Sequence, residues 1–532
     1  MQSQITWKNF QDNNHKVNKS FFKTFSMKIS RRQFNKISLA SIINFQDLNY
    51  LENKEKYQEI NQQETENIKL HIPTFLGDEK RKFYGRGSPK NLGIERKINL
   101  GSGKTRLSGE YRTWSGTGWT GQPMVTEDNG KEYLTIGAYD HSLRKIDLDS
   151  GEVIWRYLFD DVIKGSSTIY IDEKADEKNK IIILQGSRAG LNKNLSSEIV
   201  PSFRAISFRT GDEIWRMNLE RTRSYSRDND SSPLILEDEI FNAGENAIGY
   251  FLEKEKITQN LDVPLKKIQL YEENDSKKHG GNLVAESSPA RFKDNIFIAC
   301  GSGHIYGINI NNKEIFWDFE VGSDIDGTMP ISEDGKLFCP IEKQYIQGNG
   351  GILKLNPKKN TEESVEWFLP TENKNFASWK GGIIGSVTLN DYYNEQKAPK
   401  IFATTAIDGY LYIGSQNEIS NEIVKGPNLK NDYFKPKILA KEKLAPSIAT
   451  PIFTDENKLV VPTYNGVYLF KLNFEESAES ETTAKDKYGK PIKLSLEKIA
   501  HTMPGNSFES SPVVWKDKIY IGSRDGFLYT LG

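Results

Sequence analysis

The chain has little cysteine, and its positive and negative charges nearly cancel. Only Cys300 and Cys339 occur among 532 residues, which excludes a disulfide framework and a tetrathiolate metal centre. Both fall in expected strands of successive repeats. They read as two buried thiols, the usual state of free cysteine, or as a single bridge between neighbouring repeats. Lys and Arg number 71 against 72 Asp and Glu, so the basic excess of a nucleic-acid binder is missing. No apolar run reaches the length of about eighteen residues that a membrane-spanning helix needs. A Cys-x-x-Cys-His haem motif and a Gly-x-Ser-x-Gly elbow are also absent, which removes support for c-type haem attachment and for that class of hydrolase.

What the chain does have is repetition. Gly151-Glu152-Val153-Ile154-Trp155 returns as Gly211-Asp212-Glu213-Ile214-Trp215, and looser copies end at Trp317 and Trp367. A second phrase reads Ser231-Ser232-Pro233, Ser287-Ser288-Pro289 and Ser510-Ser511-Pro512. Its variants are Gly121-Gln122-Pro123, Thr328-Met329-Pro330 and Ala449-Thr450-Pro451. Each is followed by a short apolar strand, a small-residue turn and another strand. A repeat of roughly 50 residues built from short strands points to a β-propeller.

The spacing predicts an all-β, eight-bladed β-propeller of four-stranded blades, with seven blades as the alternative. The units run over 118–159, 165–219, 228–271, 285–322, 324–371, from near 381, 447–500 and 508–532. The last stops after three strands. The segment from Leu92 to Leu100 is expected to supply the fourth, closing the ring and removing exposed sheet edges. The fourth strand of the third unit is hard to place. The inserts 253–280, 391–399 and 475–490 read as solvated loops. Gly301, Gly409 and Gly466 read as turn residues, and each Trp as a packing surface for the next blade.

The domain organisation follows: 1–45 as an export-signal region, 46–91 as a polar linker and 92–532 as the propeller. Ser30-Arg31-Arg32-Gln33-Phe34-Asn35-Lys36 precedes a short, mildly apolar stretch and resembles the twin-arginine export signal of bacteria. A start at Met27 would place the arginines near the N-terminus. The resemblance implies a periplasmic or otherwise exported protein; without it, the protein would be cytoplasmic. No cysteine near the signal is available for a lipid anchor.

The turn, Gly-x-x-x-Trp and Ser-Ser-Pro phrases, over 118–532, resemble the pyrroloquinoline-quinone-like (PQQ-like) β-propeller repeat. That resemblance implies one of two functions. Quinoprotein alcohol and sugar dehydrogenases hold the quinone PQQ and a Ca²⁺ ion on the axis. Other members bind no quinone and act as protein-binding platforms, as in the outer-membrane assembly lipoprotein. The dehydrogenase pattern includes an adjacent-cysteine disulfide, which Cys300 and Cys339 cannot form.

Residues just before the first strand of each blade should gather at one mouth of the ring. Asp230, Glu286 and Glu509 lie three residues before the repeated proline, with Asp324 and Asp326 slightly further upstream in the fifth unit. Asp230, Glu286 and Asp326, from neighbouring blades, are candidate Ca²⁺ ligands because carboxylates are hard oxygen donors. Asp326 is also a candidate general base toward an alcohol. Lys164 and Lys380 are candidates to pair with an anionic cofactor, and Trp119, with Trp114, to stack a flat ligand. A solvated polar rim or an acidic protein-docking patch reads the same residues without a cofactor. His141 and His304 follow turns and read as turn or packing residues. Gly101-Ser102-Gly103-Lys104-Thr105 carries only the tail of a phosphate loop and reads as a chance match.

Two expectations result. The first is an exported, non-catalytic propeller that binds a protein or another extracytoplasmic ligand, needing no cofactor. The second is a PQQ- and Ca²⁺-dependent oxidoreductase.

Overall fold

The computed structural model describes residues 68–259, 264–394 and 398–532, which lie in one compact unit spanning 61–532. The arginine-containing leader lies outside the described residues.

Eight antiparallel sheets follow one another along the chain as the blades of a β-propeller. The first blade runs Met124–Asp128, Lys131–Gly137, Ser142–Asp147 and Val153–Leu158. Its two middle strands are largely buried, whereas the outermost alternates toward solvent. The same gradient explains Ile181–Gly186 in the second blade. That strand lies between two neighbouring sheets and is buried at every residue, so it reads as an apolar run rather than an alternation. The missing fourth strand of the third blade is Lys266–Gln269, paired to Ile248–Glu253. In the fifth blade an isolated bridge between Ile331 and Leu337 stands where the innermost strand would be.

Apolar clusters join every blade to the next. One joins blades one and two through Leu143, Phe159 and Ile183. Another joins blades eight and one through Tyr520, Leu528 and Ile136, so the ring is closed. The closing strand is Ile94–Asn99, antiparallel to Phe527–Leu531 with Ile98 opposite Leu528. The edge strand of the last blade is thereby paired by the other end of the chain.

The repeated phrases have physical causes. A Cβ on Gly211 would meet the Trp155 ring at 2.8 Å, and φ there is +77°. Glycine therefore lets the tryptophan of one blade lie on the turn of the next, and the indole Nε1 donates to Phe208 O at 2.9 Å. The hydroxyls of the Ser-Ser-Pro phrase and its variants, and of Ser386 at the equivalent place in blade six, link adjacent blades around the axis. Ser232 N donates to Ser288 Oγ (3.0 Å), Ser288 N to Thr328 Oγ1 (2.9 Å), Thr328 N to Ser386 Oγ (2.9 Å) and Ser386 N to Thr450 Oγ1 (3.0 Å). Such bonds satisfy backbone groups that would otherwise be buried without partners.

Residues 68–91, at the end of the expected polar linker, are built into the ring rather than solvated. Ile68–Ile72 pairs with the inner strand of blade one, and Gly85–Arg86 runs parallel to Val513–Trp515 of blade eight. Between them the segment touches each remaining blade. Thr74 Oγ1 lies 2.8 Å from Thr168 Oγ1 of blade two. Fully buried Arg81 donates to Ser232 O of blade three and Pro289 O of blade four, and also to Thr74 Oγ1 and Phe75 O. Ile331 N of blade five donates to Lys80 O. Buried Lys82 pairs with Asp391 at 2.7 Å in blade six, and Arg86 with Asp455 in blade seven. The polar composition that suggested a linker is therefore the set of groups that satisfies inner backbone carbonyls and carboxylates.

Cys300 and Cys339 are both free and buried, and burial raises both thiol pKa values. Ser102–Leu107 and Glu110–Ser115 form a hairpin, so no helix follows the phosphate-loop-like tail. His141 has a φ of +69° and its Nε2 lies 2.7 Å from Lys104 O, as a turn residue.

Candidate functional site at the mouth of the ring

Two positions in each blade supply the mouth. One lies just before the inner strand. The other follows the second strand, in the turn to the third. Because the blades repeat, these positions place side chains from successive blades around the same opening, two from each blade except blade four, where the second position is Gly301.

In blades two, three and five both positions are charged; in blade four Glu286 precedes the inner strand and Gly301 follows the second strand Asn295–Ala299. Lys164 precedes the inner strand of blade two, and its ammonium contacts Asp230, with Glu245 Oε1 at 3.1 Å and Glu286 Oε1 at 3.3 Å. Asp230 and Glu286 precede the inner strands of blades three and four. Glu245 follows Glu239–Gly244, the second strand of blade three. Carboxylate oxygens of Asp230, Glu245 and Glu286 lie within 4.8 Å of one another. Asp230 meets the Lys164 ammonium and lies close enough to Glu245 for the two carboxyl groups to share a hydrogen bond. A second triad, Asp324, Asp326 and Glu342, also has ligand oxygens within 4.8 Å. Glu342 follows Leu337–Ile341, the second strand of blade five, and Asn282 Nδ2 donates to Asp324 at 2.5 Å.

The electrostatics follow from one ammonium amid six carboxylates. Burial holds Asp230 well above the ordinary carboxyl range, and neighbouring Glu245 adds to it. Glu245 is pushed up to about 7 and Glu342 to about 9, burial being the largest cause in both. Glu286 and Asp324 are raised, first by burial. Asp326 is raised well, by burial and then by Asp324, Glu286 and Glu342. Burial opposes charge on Lys164, but the three surrounding carboxylates outweigh it and hold the group protonated. Beside them, Asp228 stays low despite burial because Arg188 lies 2.7 Å away. Six carboxylates that resist ionisation suit a hard, oxygen-seeking cation, which would replace the protons they retain.

The other half of the mouth is aromatic and charge-balanced. Trp119, Phe376, Trp379 and Tyr464 pack partly buried against Ile384, Ile407 and Ile448, with the Phe376 and Tyr464 rings 4.7 Å apart. Glu509 has its own partners: Arg524 Nη1 at 3.1 Å and the Tyr464 hydroxyl at 2.8 Å.

Of the residues read from the sequence, Asp230 and Glu286 share one triad, with Lys164 between them. Asp326 sits in the adjoining triad, close enough for Glu286 to raise its pKa. The Lys164 charge is engaged by carboxylates, which leaves it little to offer an anionic cofactor. Lys380 is exposed, on Trp379–Gly381. Trp119 lies on the aromatic side, while Trp114 packs on Tyr139 at 5.1 Å and beneath Arg188. Glu245, Glu342, Arg188 and Arg524 were not found from the sequence. Their shared signal is the place directly after the second strand of a blade, which aligns Tyr139, Arg188, Glu245, Glu342, Ile407, Tyr464 and Arg524.

No protein-family model matches the chain, and no curated protein matches it. Solved structures do. BamB from Moraxella catarrhalis is 13% identical, with 83% of this chain and 97% of that one covered and a TM-score of 0.47. A europium-containing methanol dehydrogenase is 12% identical, with 85% and 89% covered and a TM-score of 0.50. The computationally designed Ika8 protein is 10% identical, with 84% and 99% covered and a TM-score of 0.44. At such identities the likeness is one of fold. Among the described residues, no helix is long and apolar enough to cross a membrane.

Proposed function

We propose that the protein is an exported, non-catalytic binding propeller whose ligand site is the mouth of the ring, and that the acidic half of that mouth takes up a divalent cation such as Ca²⁺. The observation that carries this reading is the excess of buried carboxylates over ammonium groups around Lys164. Asp230, Glu245 and Glu286 would hold one ion, with Asp324, Asp326 and Glu342 beside it. The aromatic half offers flat apolar surface to the organic part of a ligand, either a small molecule or a protruding side chain of a partner protein. Export is inferred from the Ser30-Arg31-Arg32 leader.

The direct test is a Ca²⁺ titration of chelator-treated protein followed by thermal melting. A ligand that binds only the folded state raises its stability, by about 2.7 kcal/mol at a hundred times the dissociation constant. The expected result is a rise in melting temperature that is lost in Asp230→Asn and Glu286→Gln, with protons released on binding. An unchanged melt at millimolar Ca²⁺ would remove the cation from the reading.

One observation favours the second reading, a PQQ-dependent oxidoreductase. Asp326 combines a raised pKa with partial exposure, so when ionised it is a strong proton acceptor at the opening. PQQ, if bound, would supply the electron acceptor. Asp326 would take the proton of an alcohol, and Trp119 would present the stacking face. Dye-coupled oxidation of alcohols and sugars with added PQQ and Ca²⁺ tests this; activity lost in Asp326→Asn would favour it over the non-catalytic reading.

A further inference from the structure

Away from the mouth, the described residues contain two places where a histidine meets two carboxylates. The first is His71 with Glu127 and Glu132, in and beside the first blade. Its carboxylates already have partners: Lys69 Nζ at 3.3 Å from Glu127, and Lys516 Nζ at 2.6 Å and Trp515 Nε1 at 3.2 Å from Glu132. His71 Nε2 lies 3.2 Å from Glu127 Oε2, which favours the proton on that nitrogen, and no acceptor meets Nδ1 to hold the opposite tautomer and free Nε2 for an ion.

The second place is built differently. His304 opens the strand His304–Asn309 of blade four. Its Nδ1 lies 2.7 Å from Asp318 Oδ1 on the neighbouring outer strand Glu314–Glu320. Its Nε2 points at the insert that follows blade three. There Asp275 Oδ2 lies 3.5 Å away, and Glu272 brings a third ligand atom within 4.8 Å of the other two. The His304 side chain is 4% exposed and that of Asp275 0%. Neither His304 Nε2 nor Asp275 Oδ1 has a hydrogen-bond partner. The neighbouring cation is Lys278, 3.4 Å from Asp275 on a half-exposed side chain that can swing into solvent.

We propose that His304, Asp275 and Glu272 form a binding site for a divalent transition-metal ion of the Zn²⁺ class, separate from the mouth of the ring. At 3.5 Å Asp275 Oδ2 is too far to hydrogen-bond this buried imidazole nitrogen well, leaving it unsatisfied is costly, and a metal ion between the two would satisfy both. One nitrogen and two oxygens, with a fourth position left to water, match the donor set and open coordination that Zn²⁺ accepts; Ca²⁺ prefers oxygen alone. The Nδ1 contact to Asp318 is the outer support that metal-binding histidines usually have, and it orients Nε2 toward the ion. Glu272 and Asp275 lie three residues apart in the insert, and His304 returns from the next blade, so a bound ion would tie the insert to blade four.

The test uses the full chain after chelator treatment, titrated with Zn²⁺ by calorimetry and with Co²⁺ by visible absorption. About one equivalent of either ion is expected, with a Co²⁺ band of mixed nitrogen and oxygen ligation. His304→Gln and Asp275→Asn should abolish the band. Asp318→Asn should weaken binding by about 10- to 100-fold, the usual effect of removing an outer-shell partner. Glu272→Gln changes an exposed residue without disturbing the fold, so it keeps the test informative if the buried variants fail to fold; it should lower affinity at least several-fold. Asp230→Asn should leave Zn²⁺ binding unchanged, which separates this site from the mouth, and His71→Gln should do the same. The proposal is overturned if no Zn²⁺ binds, leaving His304 and Asp275 as an ion pair alone, or if binding persists in Glu272→Gln and His304→Gln at full affinity.

Discussion

The two halves of the ring mouth use the same repeat positions for opposite ends. On the aromatic side, Glu509 is matched by Arg524 and the Tyr464 hydroxyl, a local balance that needs nothing further. On the acidic side, Lys164 is shared by Asp230, Glu245 and Glu286, and no ammonium ion-pairs with the second triad among the described residues. The backbone geometry of the positions is alike, so the difference is one of charge stoichiometry. A paired carboxylate is explained by the fold, whereas a surplus of buried ones is kept uncharged or calls for a cation.

The sharpest way to break this contrast is Lys164→Met. It removes the one cation from a buried triad and should cost about 3–5 kcal/mol near neutral pH, measured by urea unfolding. Lowering the pH, which protonates the carboxylates, should recover much of the loss.

The next largest effect is the pH dependence of the unaltered protein without added metal. Glu245 and Glu342 have folded values of about 7 and about 9 against an ordinary 4.5. A raised folded pKa means that the native state binds the proton more tightly than the unfolded chain. Its contribution is fully present below 4.5 and is lost as pH rises through about 7 and then about 9. The melting temperature should fall across that window, and the fall should flatten in Glu245→Gln/Glu342→Gln. A melt that rises steadily over the same range would contradict the acidic half as described.

The smallest effect belongs to the balanced half. Arg524 is 22% exposed, and Arg524→Met should cost only about 1 kcal/mol or less, as partly solvated pairs do. It should leave both the pH dependence and any Ca²⁺ response intact. A loss comparable to that of Lys164→Met would erase the distinction between the halves.

Much of the ring was legible before the structure. The phrase ending at Trp155 and Trp215, the Ser-Ser-Pro steps and the missing last strand led to eight blades closed by residues near Leu92–Leu100, and Ile94–Asn99 occupies that place. Asp230 and Glu286 are legible from their offset to the repeated proline, and Asp326 from its place just upstream of it in the fifth unit. Glu245 and Glu342 were not, because the turn after the second strand carries no phrase of its own. The inner belt over 68–91 was misread because Arg81, Lys82 and Arg86 look solvated in composition, while their partners Pro289, Asp391 and Asp455 are remote in sequence.

His304 marks the same boundary. Alone it read as a turn residue; Asp275 and Asp318 give it a different character from two directions. By itself the sequence determined the repeat, and with it the order of the blades and the strand that closes them, since these depend on local strand and turn chemistry recurring at a fixed interval; the structure settled eight blades over seven. The tertiary structure alone decided which charges meet. Coulombic and ligand contacts depend on distances across blades, and only the closed ring brings Lys164, Glu245 and Glu286, or Asp275 and His304, within reach of one another.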